Sequence, residues 1–385
     1  MTTFFKKAEN KFRNITQAIH QELQDFHYSK PSKKIIPKTL LIIKVDSIGD
    51  YVIFRNFLSE IRTSKKFRDY KITLLGNVWY KELAEEYDKD TIDEFIWVDL
   101  LKLKKENYFN ETVKRIFKSG FEYCISPNYS MAAEDVKLLA RSGAKYKICP
   151  KGDDINMPLD QKIKYLKKFT SIIDTKKRFD FEFYRYKAFF ELLLSDALKV
   201  NNVYLPVATE NKKQIIICPG ANSAFRKWSV NNYAGLLDLI NNNFPEFDYL
   251  IIGSEGESEL GEQIIATSKT KNVSNLCGKL TLTQLAELIA GSTLLITNDT
   301  GPYHISMALG KKTVCISNGN NYNRFTPYPD EFKKEAFTIL SDKVQELVKQ
   351  PDKIKNFQNK GSQENINEIS VEKVFKAVAQ ILKNG

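Results

Sequence analysis

The strongest constraint on this chain is a rhythm that occurs twice. Short apolar runs alternate with longer amphipathic segments. The first series comprises LLIIKV at 40–45, KITLL at 71–75, EFIWV at 94–98, YCIS at 123–126 and KYKIC at 145–149. The second comprises IIIC at 215–218, YLIIG at 249–253, LLIT at 294–297 and TVCIS at 313–317. A strand that is apolar at nearly every position has no face to show to water, so it must be covered on both sides. That is the condition of a parallel sheet wrapped by helices. Periodicity places the intervening helices at about 51–62, 230–243, 257–268, 282–290 and 302–309, with a terminal amphipathic helix at 371–382. Thr281 and Gln284 stand at capping-box spacing before one of them. The stretch 160–200, rich in lysine and aromatic residues, reads as helical, and PVATENKKQ at 205–213 reads as a linker. At 385 residues the chain is long enough for two α/β domains. The boundaries fall at 39–204 and 214–385, behind an extension at 1–38. Ligands of such sheets sit at the carboxyl ends of the strands, which implies a cleft between the domains.

Charge narrows the partners. Lys and Arg number 58 against 47 Asp and Glu, a net charge of +11. Such a surplus favours nucleic acid, anionic lipid or phosphorylated small molecules. No nucleic-acid-binding module accompanies it, so no nucleic acid is expected. No apolar run reaches the roughly 18–20 residues that span a bilayer, and the first thirty residues lack a secretory leader's apolar block. Cys124, Cys149, Cys218, Cys277 and Cys315 are scattered, with no CxxC or Cys/His cluster. They read as buried reduced thiols of a cytoplasmic protein without structural zinc. In the extension, Phe4, Phe5, Phe12, Ile15, Ile19, Leu23 and Phe26 recur at helical spacing among Lys6, Lys7, Lys11 and Arg13. This basic amphipathic helix either lies on an anionic membrane face or packs on the protein's own surface. Lys162, Lys164, Lys167 and Lys168 add to the membrane reading, which would make the protein a peripheral one.

Three loops carry the chemistry, and each follows an apolar run. VDSIGD at 45–50 offers Ser47 and Gly49 for a tight strand-to-helix turn and puts Asp50 in the first helical turn. There Asp50 serves either as a helix-capping carboxylate or as a general base. CPGANSAFRKWS at 218–229 turns at Gly220, exposes amides around Asn222, and adds the cations Arg226 and Lys227. This loop is either a diphosphate site or a solvated basic loop. LLITNDTGPYHISMALG at 294–310 runs from a strand through Asp299, Thr300 and Gly301 into a helix, a natural anion site. His304 follows in the first helical turn, as a site residue or as a structural one. There is no G-x-G-x-x-G after a strand, no G-x-x-x-x-G-K-[ST] and no G-x-S-x-G. That counts against dehydrogenases, P-loop NTPases and serine hydrolases.

Together these loops resemble glycosyltransferase family 9, the ADP-heptose:lipopolysaccharide heptosyltransferases. The shared features are Ser47-Ile48-Gly49-Asp50, Pro219-Gly220-Ala221 with Arg226-Lys227-Trp228, the segment GKLTLTQLAELIAGS at 278–292, and Asp299-Thr300-Gly301-Pro302-Tyr303-His304. The resemblance implies a GT-B architecture, two Rossmann-like domains with parallel sheets facing across a cleft. The first domain would take the acceptor and the second the nucleotide-sugar. It further implies an inverting, metal-independent transfer of a sugar, a heptose on an ADP carrier, to a lipopolysaccharide-core or related glycan, with no cofactor. Asp50 would be the base. Asn222, Arg226, Lys227, Asp299, Thr300, Gly301 and His304 would meet the phosphates and sugar, Glu255 the ribose, and Leu280 the nucleobase. The alternatives are a nucleotide-sugar epimerase of the same architecture and a non-catalytic nucleotide-sugar-binding protein.

Overall fold

The computed structural model describes residues 26–383, apart from 29, 179, 333 and 334. The basic helix expected over the extension falls mainly on residues 1–25, outside the described residues. The first half runs β1 (Ile36–Lys44), α1 (Ile48–Phe54), α2 (Phe57–Thr63), β2 (Lys71–Asn77), α3 (Lys81–Tyr87), β3 (Glu94–Val98), α4 (Glu106–Ser119), β4 (Phe121–Ile125), α5 (Ala133–Ala140), β5 (Tyr146–Pro150), α6 (Leu159–Leu166), β6 (Ser171–Ile173) and α7 (Glu182–Leu194). The second runs β7 (Gln214–Cys218), α8 (Val230–Asn243), β8 (Asp248–Ile251), α9 (Ser258–Thr267), β9 (Val273–Asn275), α10 (Leu282–Gly291), β10 (Leu294–Asn298), α11 (Gly301–Ala308), β11 (Thr313–Ile316) and β12 (Ala336–Ile339), then α12 (Asp342–Leu347), α13 (Pro351–Lys360) and α14 (Val371–Lys383).

Each half builds a six-stranded parallel sheet, ordered β3-β2-β1-β4-β5-β6 in one and β12-β11-β10-β7-β8-β9 in the other. Numbered within its own half, each sheet has the doubly wound order 3-2-1-4-5-6. The order reverses between β1 and β4 and between β7 and β10, and there a crevice opens beyond the strand ends. The apolar runs divide their side chains between two layers, as the period of two requires. Leu40 and Ile42 enter one core and Leu41 and Ile43 another. Ile216 and Cys218 enter the first of these cores, whereas Ile215 and Ile217 join a third beneath α8 and α14. The first core therefore belongs to both halves. It takes in α1, α2, α7, α10 and α11 and runs without a break from one sheet to the other.

Several elements differ from expectation. The helix expected over 51–62 is interrupted at Arg55 and Asn56, and both side chains are spent on the far end of α7's connection. Arg55 Nη1 donates to Tyr204 O at 2.6 Å, and Asn56 pairs with Tyr204 through Nδ2→O at 2.9 Å and N→Oδ1 at 2.8 Å. The 160–200 stretch is not one helical segment. The short strand β6 divides it, because Ile172 and Ile173 pair in register with Cys149 and Pro150. Strands β6, β9 and β12 are three or four residues long at sheet edges, too short to show a period. The first strand begins at Ile36 rather than after residue 38. Residues 196–213 form no regular element. Leu205 N donates to Ala308 O at 3.0 Å and Lys212 N to Gly291 O at 2.7 Å, so this stretch lies along the second half. All five cysteines are buried and free.

Arg55 also forms a buried ion pair with Asp88, at 2.8 Å from Nη2 and 3.1 Å from Nε, and Tyr51 Oη donates to the same carboxylate at 2.6 Å. Removing one member of such a pair strands the other in the core. Asp88→Ala is expected to lose about 3–5 kcal/mol of stability. Denaturant unfolding checks this, and a change under 1 kcal/mol would refute the role.

Candidate active site

The two crevices face each other. Helices α1 and α11, which follow the central strands β1 and β10, pack together across the gap. The contact is close because two glycines permit it. A Cβ on Gly49 would lie 2.3 Å from His304 Cδ2, and one on Gly301 would lie 3.4 Å from Ile48 Cβ. Beside this contact is a cavity of about 650 Å³. Its walls include Ser47, Gly49 and Asp50 from the first half, and Gly220, Asn222, Arg226, Leu280, Asp299, Thr300, Gly301 and His304 from the second. Two expected residues, Lys227 and Glu255, do not line it. Lys227 lies beyond the short turn Ala224–Arg226 that aims Arg226 inward. Glu255 starts the 3-10 turn Glu255–Glu257, and that turn presents Glu257 to the cavity instead.

Asp50 is partly exposed, and its carboxylate accepts the Ser47 hydroxyl. Ser47 is the N-cap residue of α1, but its side chain caps no backbone amide. Beneath this loop the Lys44 ammonium is fully buried. It donates to Asn128 Oδ1 at 2.8 Å, to Tyr186 Oη at 2.6 Å and to Asp46. Its flank faces the Phe54 and Tyr186 rings. Asp46 is thus part of the loop's support: burial pushes its carboxyl up to about 8 despite the pull of Lys44. The Tyr80 hydroxyl also donates to Lys44 O. The loop carrying Asp50 is therefore tied to the ends of β2 and β4 and to α7.

On the other wall, Asn298 is fully buried and donates through Nδ2 to Pro219 O at 2.7 Å, while its Oδ1 accepts the Tyr233 hydroxyl at 3.1 Å. This stitches the Gly220 loop to the end of β10. Asp299 holds the Arg226 guanidinium at 3.3 Å and accepts Thr326 Oγ1 at 2.7 Å, and Arg226 also donates to Asp299 O. Arg226 Nε is buried with no hydrogen-bond partner, which leaves donor capacity at the site. Helix α11 opens at Thr300 without a side-chain cap, and Pro302 follows. Its N-terminal end therefore remains available to an anion. His304 Nδ1 lies 3.0 Å from Tyr328 Oη, and burial holds the imidazole below its ordinary value against the opposing pull of Asp299 and Asp50. Among the described residues, no group of three or more His, Cys, Asp or Glu is placed to hold a metal ion.

Glu257, Trp79, Lys81, Glu82, Asn321 and Phe325 also line the cavity and were not anticipated. The signal for Glu257 lay in two glycines. A Cβ at Gly220 would fall 1.8 Å from Glu257 Oε1, and one at Gly253 2.8 Å from Oε2. Nothing in the sequence marks Asn321 or Phe325, which reach the cavity from the long loop between β11 and β12. The basic cluster also needs correction. Lys162 is buried, with Nζ donating to Lys151 O at 2.8 Å and Asp153 O at 2.7 Å, so it offers no charge to a membrane.

Two outcomes follow from the His304 contact. Gly49→Ala, with φ in the ordinary range, fails only for want of space. It should cost about 1–3 kcal/mol by overpacking against a buried ring, and an unchanged melting temperature would contradict this. His304 binds its proton more weakly folded than unfolded, so its contribution to stability is lost as pH falls below about 6.5. The melting temperature of the parent chain should therefore drop more steeply below that pH than that of His304→Gln. Parallel curves would count against the assignment.

Comparison with known proteins shows what this chain is similar to. Residues 165–353 match the model for glycosyltransferase family 9 (heptosyltransferase). Lipooligosaccharide heptosyltransferase 2 of Campylobacter jejuni subsp. jejuni serotype O:2 is 31% identical across 42% of this chain and 57% of that protein. The match thus spans little more than half of that relative's length. Lipopolysaccharide heptosyltransferase 2 of Escherichia coli K12 is 31% identical across 34% of this chain and 38% of the relative. The fold is shared more widely. The crystal structure of a family 9 glycosyltransferase from Veillonella parvula DSM 2008 superposes with a TM-score of 0.67 at 19% identity, covering 92% of this chain and all of the other. The structure of E. coli heptosyltransferase WaaC with ADP gives 0.63 at 13% identity, covering 90% and 99%. The architecture is GT-B, and residues 165–353 of the chain are similar to glycosyltransferase family 9.

Proposed function

We propose that the protein transfers a heptose from ADP-heptose to an acceptor hydroxyl of the lipopolysaccharide core or a related glycan, by a single displacement that inverts the anomeric carbon. The observation that carries this reading is the arrangement of one cavity. A carboxylate on the first half faces a set of anion-binding groups on the second, within the volume a nucleotide-sugar needs. The names of the curated relatives support the heptose and a lipopolysaccharide or lipooligosaccharide product.

In this reading Asp50 takes the proton from the acceptor hydroxyl as that oxygen attacks the anomeric carbon. Its bond to the Ser47 hydroxyl and the Lys44 network beneath fix the direction of attack. Charge develops on the departing diphosphate. The Arg226 guanidinium, the Asn222 region and the amides at Thr300–Gly301 meet it without reorganising. Asp299 orients Arg226, and the neutral His304 imidazole lies between the two halves without adding charge. With these donors the leaving group needs no metal. Leu280 takes the nucleobase, and Glu257 rather than Glu255 has the position to hold the ribose. Lys227 lends only its field.

The domain division is proposed as 39–204 for the acceptor and 214–385 for the donor, joined through 205–213. Among the described residues, no helix is long and apolar enough to cross a membrane. Contact with an anionic inner membrane face is proposed through the extension at 1–38, since Lys162 is withdrawn.

Asp50→Asn should lower kcat by about 10²–10⁴ while ADP affinity is retained. Arg226→Ala should lower it by about 10²–10³. Transfer assays with ADP-heptose, with nucleotide binding measured in parallel by thermal shift, check both. Full activity of Asp50→Asn would remove it as the base. Interconversion of sugar epimers without an acceptor would point to an epimerase instead.

A further inference from the structure

The three tryptophans of the chain are treated very differently. Trp228 is buried, donates Nε1–H to Ile369 O at 3.0 Å and meets the Tyr233 ring edge-on. Trp97 donates to Glu85 Oε1 at 2.8 Å and stacks on Phe95. Trp79 is 38% exposed. Among the described residues its indole has no ring neighbour and its N–H no hydrogen-bond partner, and it lines the cavity. A large ring left bare inside a ligand cavity is an unfilled contact surface.

It is also a rigid one. Trp79 lies in the 3-10 turn Val78–Tyr80, and its own amide is met by Asn77: the side chain of Asn77 accepts from Trp79 N at 3.4 Å, and its Nδ2 donates to Asp46 O at 2.9 Å. The next residue, Tyr80, is fully buried and stacks on Tyr51 with centroids 4.0 Å apart. The turn cannot roll Trp79 into the core, where Tyr80 already occupies the space.

The cavity has two ends of different character. Asp50, Arg226, Asp299 and the start of α11 gather the charge. Val78, Trp79, Leu280, Leu282 and Leu285 gather most of the apolar lining at the other, with Lys81, Glu82 and Thr281 beside them. At that apolar end the two halves are joined directly, because Glu82 Oε2 accepts from Leu282 N at 2.8 Å and α3 packs on α10. The indole and the leucines therefore stand on facing walls of one slot. The flat, weakly hydrated part of a nucleotide-sugar is its base, and the charged end of the cavity takes its phosphates.

We propose that Trp79 stacks on the donor's nucleobase, closing the base slot from the first half and favouring a purine over a pyrimidine through the larger stacking area. This deepens the reading of the cavity as a nucleotide-sugar site and rests on it. The tryptophan would make nucleotide binding depend on both halves, although every phosphate contact comes from the second.

The test titrates the full chain with ADP and with CDP, following tryptophan emission and calorimetric affinity in the parent, Trp79→Phe and Trp79→Leu. Trp79 is half-exposed, so the melting temperatures of the free variants should match the parent's. Saturable quenching by ADP is expected in the parent and its loss in both variants. Trp79→Leu should bind ADP about fivefold or more weakly. CDP should lose less, and Trp79→Phe should keep most of the ADP affinity. Unchanged ADP affinity in Trp79→Leu overturns the proposal. A raised KM for the acceptor with unchanged ADP affinity overturns it too, by giving the indole to the acceptor. A parent that binds neither nucleotide defeats the reading of the cavity itself.

Discussion

The packing of α1 against α11 is the contact on which the rest of the structure depends. Each helix begins where its central strand ends, so each brings a candidate site loop of its own sheet to the meeting point. Gly49 lets the buried His304 ring lie against the backbone of α1. A side chain on Gly49 would hold the two halves apart and take Asp50 away from Arg226 and Thr300. The shared hydrophobic core behind the contact has the same effect, since the layer between the sheets belongs to both. The active-site geometry is thus a property of the interface rather than of either half.

Polar burial is concentrated where that geometry needs support. Lys44 costs desolvation, and three acceptors and two aromatic faces offset it. Asn298 does the corresponding work on the other sheet without a charge, tying the Gly220 loop and α8 to the end of β10 through one amide. In both cases the supporting residue sits at the carboxyl end of a central strand and the functional residue follows in the next loop. The supports are the strand ends, and the chemistry lies just beyond them.

Much of this could be read from the chain itself because both signals are local. Nine apolar runs marked nine of the twelve strands, since a doubly covered strand needs apolar side chains on both faces. The loops at Asp50, Arg226 and Thr300 were legible for the same reason, each being a short motif directly after such a run. What escaped notice depends on distance. The break at Arg55–Asn56 is set by Tyr204. That Glu257 rather than Glu255 lines the cavity rests on the space left by Gly220 and Gly253. Trp79 sits on a turn that looks like any strand end until Leu282 is placed opposite. Lys162 looked like surface charge and is a buried donor to two carbonyls.

The connecting chain carries a mechanical consequence. Tyr204 is clamped on both its N–H and its C=O by Asn56, with Arg55 adding a second donor. The very next residue, Leu205, is buried and bonded to Ala308 O. Ownership of the backbone therefore changes hands within one peptide unit. The C=O and N–H of one planar peptide are thus held by opposite halves, so moving the halves apart at this connection breaks one set of bonds or the other. The linker is thereby pinned at a single peptide, and any opening of the cleft has these bonds to break there.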